Sequence, residues 1–231
     1  MNKKKLKDIL VVNPSLLARC YNIFSHNKRT IKGTGNVIYG QSVFMKNCRF
    51  NIIGDNNKLV LLNQAGGGNL YNRLENCSFI ILGSNNLIMI GANSILQGVS
   101  FCMEKDNNEI RIGDNFNCHG NTELAALEGT KILIGNDALF SANIKYRTGD
   151  SHSILDVVTG ARTNPSKDII IGNHVWVGNS VCVLKGAVIG SHSIVGIGSV
   201  VTGKSFPDNS ILGGNPARLI KSNVDWCFNQ I

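Results

Sequence analysis

Apolar positions in this chain recur every six residues, most regularly between Ile171 and Phe206. The frames read Ile171-Gly-Asn-His-Val-Trp176, Val177-Gly-Asn-Ser-Val-Cys182, Val183-Leu-Lys-Gly-Ala-Val188, Ile189-Gly-Ser-His-Ser-Ile194, Val195-Gly-Ile-Gly-Ser-Val200 and Val201-Thr-Gly-Lys-Ser-Phe206. The first position is always Ile or Val. The fifth is small or β-branched: Val175, Val181, Ala187, Ser193, Ser199, Ser205. One branched aliphatic per six residues matches neither a helix face nor an alternating strand. It describes a chain that turns a corner every hexad and places one aliphatic inside each side, which is a solenoid.

The signal continues upstream with interruptions. Ile53-Gly-Asp-Asn-Asn, Leu82-Gly-Ser-Asn-Asn, Ile112-Gly-Asp-Asn-Phe and Ile134-Gly-Asn-Asp-Ala each follow a short apolar run. Gly and Asn tolerate positive φ and suit corners, and the runs before them suit strands. The pattern predicts a parallel β-helix with three short sides per coil. The motif starts lie further apart than three hexads, about 18 residues, so the excess is expected to loop out, and in solenoids such loops tend to gather on a binding face.

Expected boundaries are a helical cap over 1–32, the β-helix over 33–206 with a loop insertion at about 145–167, and a tail over 207–231. Helical spacing of Leu16, Leu17, Tyr21 and Phe24 after Asn13-Pro14-Ser15 predicts the cap, which covers an otherwise open edge. The N-terminal lysines precede only Ile9-Leu-Val-Val12, too short for a signal-peptide core. No run approaches the roughly 18 apolar residues of a membrane span. The seven cysteines are odd in number and lack a CxxC pair, which reads as reduced thiols in a cytoplasmic protein.

Net charge is +8. It describes either an ordinary solvated surface or steering toward a polyanion, such as an acidic polysaccharide or the phosphates of a nucleotide. Few aromatics and no recognisable motif argue against nucleic acid.

The string from Val183 to Arg218, ending Pro207-Asp-Asn-Ser-Ile-Leu-Gly-Gly-Asn-Pro-Ala-Arg218, together with the hexads, resembles the hexapeptide-repeat acyltransferases. The resemblance is close over 134–218 and looser over 51–218. It implies a left-handed β-helix, acetyl-CoA as donor, and a homotrimer with active sites between subunits. Thr148-Gly-Asp-Ser-His152-Ser-Ile followed 24 residues later by Trp176 is similar to the sugar and capsular-polysaccharide O-acetyltransferases, including those acting on polysialic acid. The implied enzyme works in the cytoplasm, near the inner face of the membrane, and needs no metal.

His152 lies in the longest break of the repeat. A loop of that length is functional or disordered, and an imidazole there can take the proton of a sugar hydroxyl as it attacks a thioester. A lone loop histidine is more often merely exposed; the surrounding motif favours a general base. Glu123 departs from the Asn that related sugar acetyltransferases carry at that position. It either orients His152 or binds the acceptor, with Asn121, Asp150 and Asp156 as rivals. Asn143 is an acceptor candidate or a corner residue. Trp176 takes the last position of its hexad, beside a corner, and the resemblance implies that it shapes the acetyl pocket. The thiol arm of CoA would lie along Gly178, Gly196 and Gly198, with Lys185, Lys204 and Arg218 at its phosphates. Gly203 before Lys204 departs from the family pattern. Cys182 has no adjacent histidine motif and reads as a structural thiol.

Competing readings remain open. They are acetylation of a small sugar or nucleotide sugar, a γ-type zinc carbonic anhydrase using His119, His152 and His174, and a non-catalytic solenoid that binds a glycan.

Overall fold

The computed structural model describes residues 14–40, 42–62 and 71–229. The lysine-rich start, the run Ile9–Val12 and the helix-starting Asn13 lie outside the described residues.

Short strands wind into a three-sided parallel β-helix. The first side runs from Lys28–Lys32 through Arg49–Ile53 and Ser78–Leu82 to Lys145–Arg147, Cys182–Leu184 and Val200–Val201. The second runs from Phe44–Lys46 through Arg73–Glu75 to Leu139–Phe140, Trp176–Val177, Ile194–Val195 and Ser210–Gly214. The long strands Ile95–Glu104 and Asn117–Leu127 turn the corner between these sides and join them into one 15-stranded sheet. The third side is a separate eight-stranded sheet from Val37–Gly40 to Ser205–Phe206.

Each inward position stacks on its counterpart one coil away. On the first side Phe50, Phe79 and Phe101 lie nearly parallel, with centroids 5.0 and 4.8 Å apart. On the second, Leu96, Cys118, Phe140, Val177, Val195 and Leu212 form one buried column. Each such aliphatic contributes roughly 1.5–3 kcal/mol by leaving water. The core grows with every coil and needs no cross-link; all seven cysteines are free.

The upstream motifs occupy two different corners. Ile53 and Leu82 lead into a buried asparagine ladder in which Asn57 donates to Asn36, Asn86 to Asn57 and Asn108 to Asn86, each at 3.0 Å. Ile112, Ile134 and Ile171 lead into another, where the side chains of Asn136, Asn173, Ser191 and Asp208 each accept a backbone N–H from the preceding coil. Asn56, Asn85 and Asn107 hold φ of 56°, 58° and 61° at the first corner, left-handed values that asparagine tolerates.

Coil length also departs from expectation. Partners across neighbouring coils are 18 residues apart at Asn173 and Ser191, 22 at Asp114 and Asn136, and 37 at Asn136 and Asn173. The 22-residue coils do not loop out. They widen their sides to strands of four or five residues, such as Ser78–Leu82 and Leu87–Ile90, where the last coils use two. The 37-residue interval holds a long strand-free segment, 148–168.

Helix α1 (Pro14–Ile23) packs beside the first coil. Asn22 acts as a neighbouring strand would: its amide donates to the Val43 carbonyl and its oxygen accepts from the Met45 N–H, both at 2.8 Å. The contact is narrower than the apolar spacing suggested. Leu17 and Ala18 turn inward, while Leu16, Tyr21 and Phe24 remain exposed. The edge strand Lys28–Lys32 is exposed along its whole length. No helix among the described residues is long and apolar enough to cross a membrane. At the far end a hairpin of Ser210–Gly214 and Ala217–Ser222 closes the stack, and the tail then runs back along the corner between the third and second sides.

Candidate active site

The loop leaves the corner between the first and third sides. Its neck is closed by the Lys167 N–H, which donates to the Thr148 carbonyl at 2.9 Å. Thr148 is buried, and its hydroxyl accepts from the Leu127 N–H at 2.9 Å. From there polar groups fix the loop. Asn164, only 7% exposed, donates to the Asp150 carboxylate and to the His152 carbonyl, each at 2.8 Å, and accepts from the Ile154 N–H at 2.7 Å. The Lys185 ammonium bonds the same Asp150 carboxylate and the Asn164 carbonyl. Lys185 first and Asn164 second hold the Asp150 carboxyl below its usual range. Arg162 grips Glu128 through two bonds of 3.0 and 2.9 Å, and Ser166 adds a third at 2.8 Å. These contacts, Arg162 foremost, bring Glu128 down to about 2.

His152 stands exposed on this scaffold, and its ring has no hydrogen-bond partner among the described residues. Glu123 does not touch it. The Glu123 carboxylate pairs with Arg147 at 2.8 Å, and Arg147 also donates to the Ser151 hydroxyl at 3.1 Å, so Glu123 reaches the loop one residue short of His152. Asp156 is occupied in a turn, accepting from the Val158 and Thr159 N–H groups at 3.0 and 2.7 Å. Those bonds, with the Thr159 hydroxyl, lower its pKa.

The remaining candidates fall into separate groups. Asn121, Asn143, Gly178, Gly196 and Gly198 share the corner between the second and first sides. Asn143 N–H donates to Gly120, Ser180 N–H to Ala142 and Gly198 N–H to Asn179, linking consecutive coils there. Gly178 is sterically required, since a Cβ would sit 2.9 Å from both the Ile197 nitrogen and the Val195 oxygen. Gly198 has open space but a φ of 69°. Lys204 lies on the loop's corner, one coil beyond Lys185, and Arg218 lies on the terminal hairpin; both are exposed.

Trp176 opens the strand Trp176–Val177 on the second side and is 40% exposed. The third side separates it from the loop's corner, and among the described residues the His152 and Trp176 rings are not in contact. A second indole joins Trp176. Trp226, from the tail, lies with its ring 6.0 Å from that of Trp176 and stacks on His174 at 4.2 Å. The indole N–H of Trp226 donates to the His174 carbonyl at 2.8 Å, and His174 Nε2 lies 2.9 Å from the Trp226 carbonyl. Asp225 faces His192 at 3.2 Å and His174 at 3.6 Å. The Trp226 N–H leads the causes that lower the Asp225 carboxyl. Sequence reasoning missed Asn164, Arg162 and Trp226, none of which occupies a repeat position. His119, His152 and His174 lie on a strand, in the loop and at a corner, so the histidine triad of a carbonic anhydrase is not assembled within the chain.

The polySia-specific acetyltransferase NeuO has a solved structure that superposes with a TM-score of 0.72 and 28% identity, covering 88% of this chain and 83% of that one. The polysialic acid O-acetyltransferase of Neisseria meningitidis is 33% identical over 107 residues, 46% of this chain and 50% of the relative. Its namesake from Escherichia coli O1:K1 is 36% identical over 95 residues, 41% of this chain and 31% of the relative. The chain is similar in sequence and in fold to polysialic acid O-acetyltransferases. The resemblance read from the hexads is therefore borne out, and so is the fold, a left-handed parallel β-helix. The polysialic acid O-acetyltransferase OatWY, 21% identical with a TM-score of 0.57, shares the fold. The chain spans half or less of the length of the two polysialic acid O-acetyltransferases it matches in sequence. No protein-family model matches it.

Proposed function

We propose that the chain transfers an acetyl group from acetyl-CoA directly to a hydroxyl of a bacterial surface polysaccharide, with polysialic acid as the first candidate. The single observation that carries this reading is His152: an unengaged imidazole on a loop whose backbone is pinned at His152 and Ile154 by Asn164, in a chain homologous to O-acetyltransferases. His152 takes the hydroxyl proton as the oxygen attacks the thioester carbonyl, then returns it to the departing thiolate. The Trp176 indole packs against the acetyl group and pantetheine arm, and the glycine corner lets that arm lie close to the backbone.

One chain presents the imidazole and the indole on different parts of its surface. The site is therefore completed between subunits of a homotrimer, His152 from one meeting Trp176 of the next. The exposed loop tip supports this, because Ile154, Leu155, Val157 and Val158 form an apolar edge that a neighbouring subunit would cover. The +8 charge favours an anionic polymer as acceptor. Use of acetyl-CoA places the enzyme in the cytoplasm, near the inner face of the membrane where capsule is built.

The test is thiol release from acetyl-CoA in the presence of polysialic acid, neutral oligosaccharides, galactosides and chloramphenicol, with light scattering for mass. Polysialic acid should drive thiol release that weakens steeply with salt, from a particle three times the 25.0-kDa chain. Turnover only on a galactoside would move the assignment to small sugars. No acceptor-dependent release with any glycan would remove the activity altogether.

A further inference from the structure

The hexads that end at Trp176 and Ile194 carry histidine at the same place: Ile171-Gly-Asn-His174 and Ile189-Gly-Ser-His192. Both residues adopt left-handed backbone, with φ of 54° and 58°, and the His192 N–H donates to the Asn173 carbonyl at 2.9 Å. The two imidazoles thus leave one corner in adjacent coils, with ring centroids 5.3 Å apart. The tail lays Asp225 between them.

We infer that His174, His192 and Asp225 form a divalent-metal site, best matched to zinc, that staples the C-terminal tail to the solenoid. The three donor atoms lie within 4.8 Å of one another. In a tetrahedral zinc site with bonds of about 2.0–2.1 Å, ligand atoms sit roughly 3.3 Å apart. The separations here bracket that value: 3.2 Å from His192 Nδ1 to one Asp225 carboxylate oxygen and 3.6 Å from His174 Nε2 to the other. The Trp226 carbonyl, 2.9 Å from His174 Nε2, accepts that nitrogen's proton, so the ion would replace this hydrogen bond. Two imidazoles and a carboxylate suit zinc better than the harder magnesium or calcium. Stacking of Trp226 on the His174 ring, tilted only 5°, orients that ligand in advance. The His192 and Asp225 side chains are 46% and 54% exposed, so an ion has a path from solution. Because Trp226 adjoins Trp176, the staple would hold the tail against the wall of the proposed acetyl pocket.

The experiment uses the full chain without a polyhistidine tag, freed of metal by chelator. Zinc is titrated against a chromophoric competitor, cobalt is followed by its visible absorption, and Trp226 is followed by fluorescence. The expected result is one ion per chain, tetrahedral cobalt bands, and a fluorescence change on zinc addition. His192→Ala and Asp225→Asn should each weaken zinc at least tenfold and remove the fluorescence response, while far-UV circular dichroism shows the solenoid intact. Zinc affinity equal in the parent and both variants, or no saturable binding in the parent, overturns the site. Neither readout depends on acetyl transfer, so a chain that holds zinc yet transfers nothing refutes only the proposed function.

Discussion

Phe50, Phe79 and Phe101 stack in successive coils and are all but sealed from water, whereas on the loop Val157 is 98% exposed and Val158 89%. The coils place each inward side chain against its copy above and below, so stability is distributed over the column. The loop has no such column. Its shape rests on a few polar contacts: Asn164 to the backbone around His152, Lys185 to Asp150, and Arg162 to Glu128. Substitution in the stack should therefore cost folding, and substitution in the loop should cost catalysis while the stack survives.

The contrast can be broken at four points. His152→Ala has the largest effect, since positioned acid–base catalysis is worth about 10²–10⁴-fold. Steady-state rates should fall by that much with an unchanged melting temperature. Phe101→Ala opens the middle of the aromatic column and should cost about 3–5 kcal/mol in urea unfolding; a loss within error would mean that the coils are not held as described. Asn164→Ala strips the loop of its buried tie, a local cost of about 1–3 kcal/mol. The expected signature is a drop in kcat with little change in KM or melting, and parental kcat would show that the loop keeps its shape without this residue.

The smallest effect concerns acid. Glu128 is held down to about 2, chiefly by Arg162. A depressed carboxyl contributes its stabilisation fully above the ordinary value near 4.5, and that contribution is lost as pH falls toward 2. Proteolysis within the loop should accelerate through this window, and Glu128→Gln should already be cleaved fast above it. A pH-independent cleavage rate in the parent would show that the Arg162 contact does not anchor the loop.

The hexads alone pointed to the three-sided parallel solenoid. They did so because a six-residue period is a local property, legible wherever one aliphatic recurs. The same local reading misjudged coil length. Ile53 and Leu82 share a motif with Ile112, Ile134 and Ile171 but turn a different corner, so their spacing measures no single repeat. Which corner a Gly-Asn turn occupies follows from the side its strand belongs to, the first for Ile53 and Leu82 and the third for Ile112, Ile134 and Ile171, and widened sides such as Ser78–Leu82 keep their inward alternation while changing the count.

Sequence by itself determined the repeat, the stacked short strands it builds and the residue types available for acyl transfer. Tertiary structure alone decided that Lys185 secures the loop, that Asn164 ties down the backbone at His152, and that Trp226 returns from the terminus to lie beside Trp176 and two histidines. Burial periodicity is written into neighbouring residues. Contacts between a loop, a corner and a tail arise only once the coils have set the distances between them.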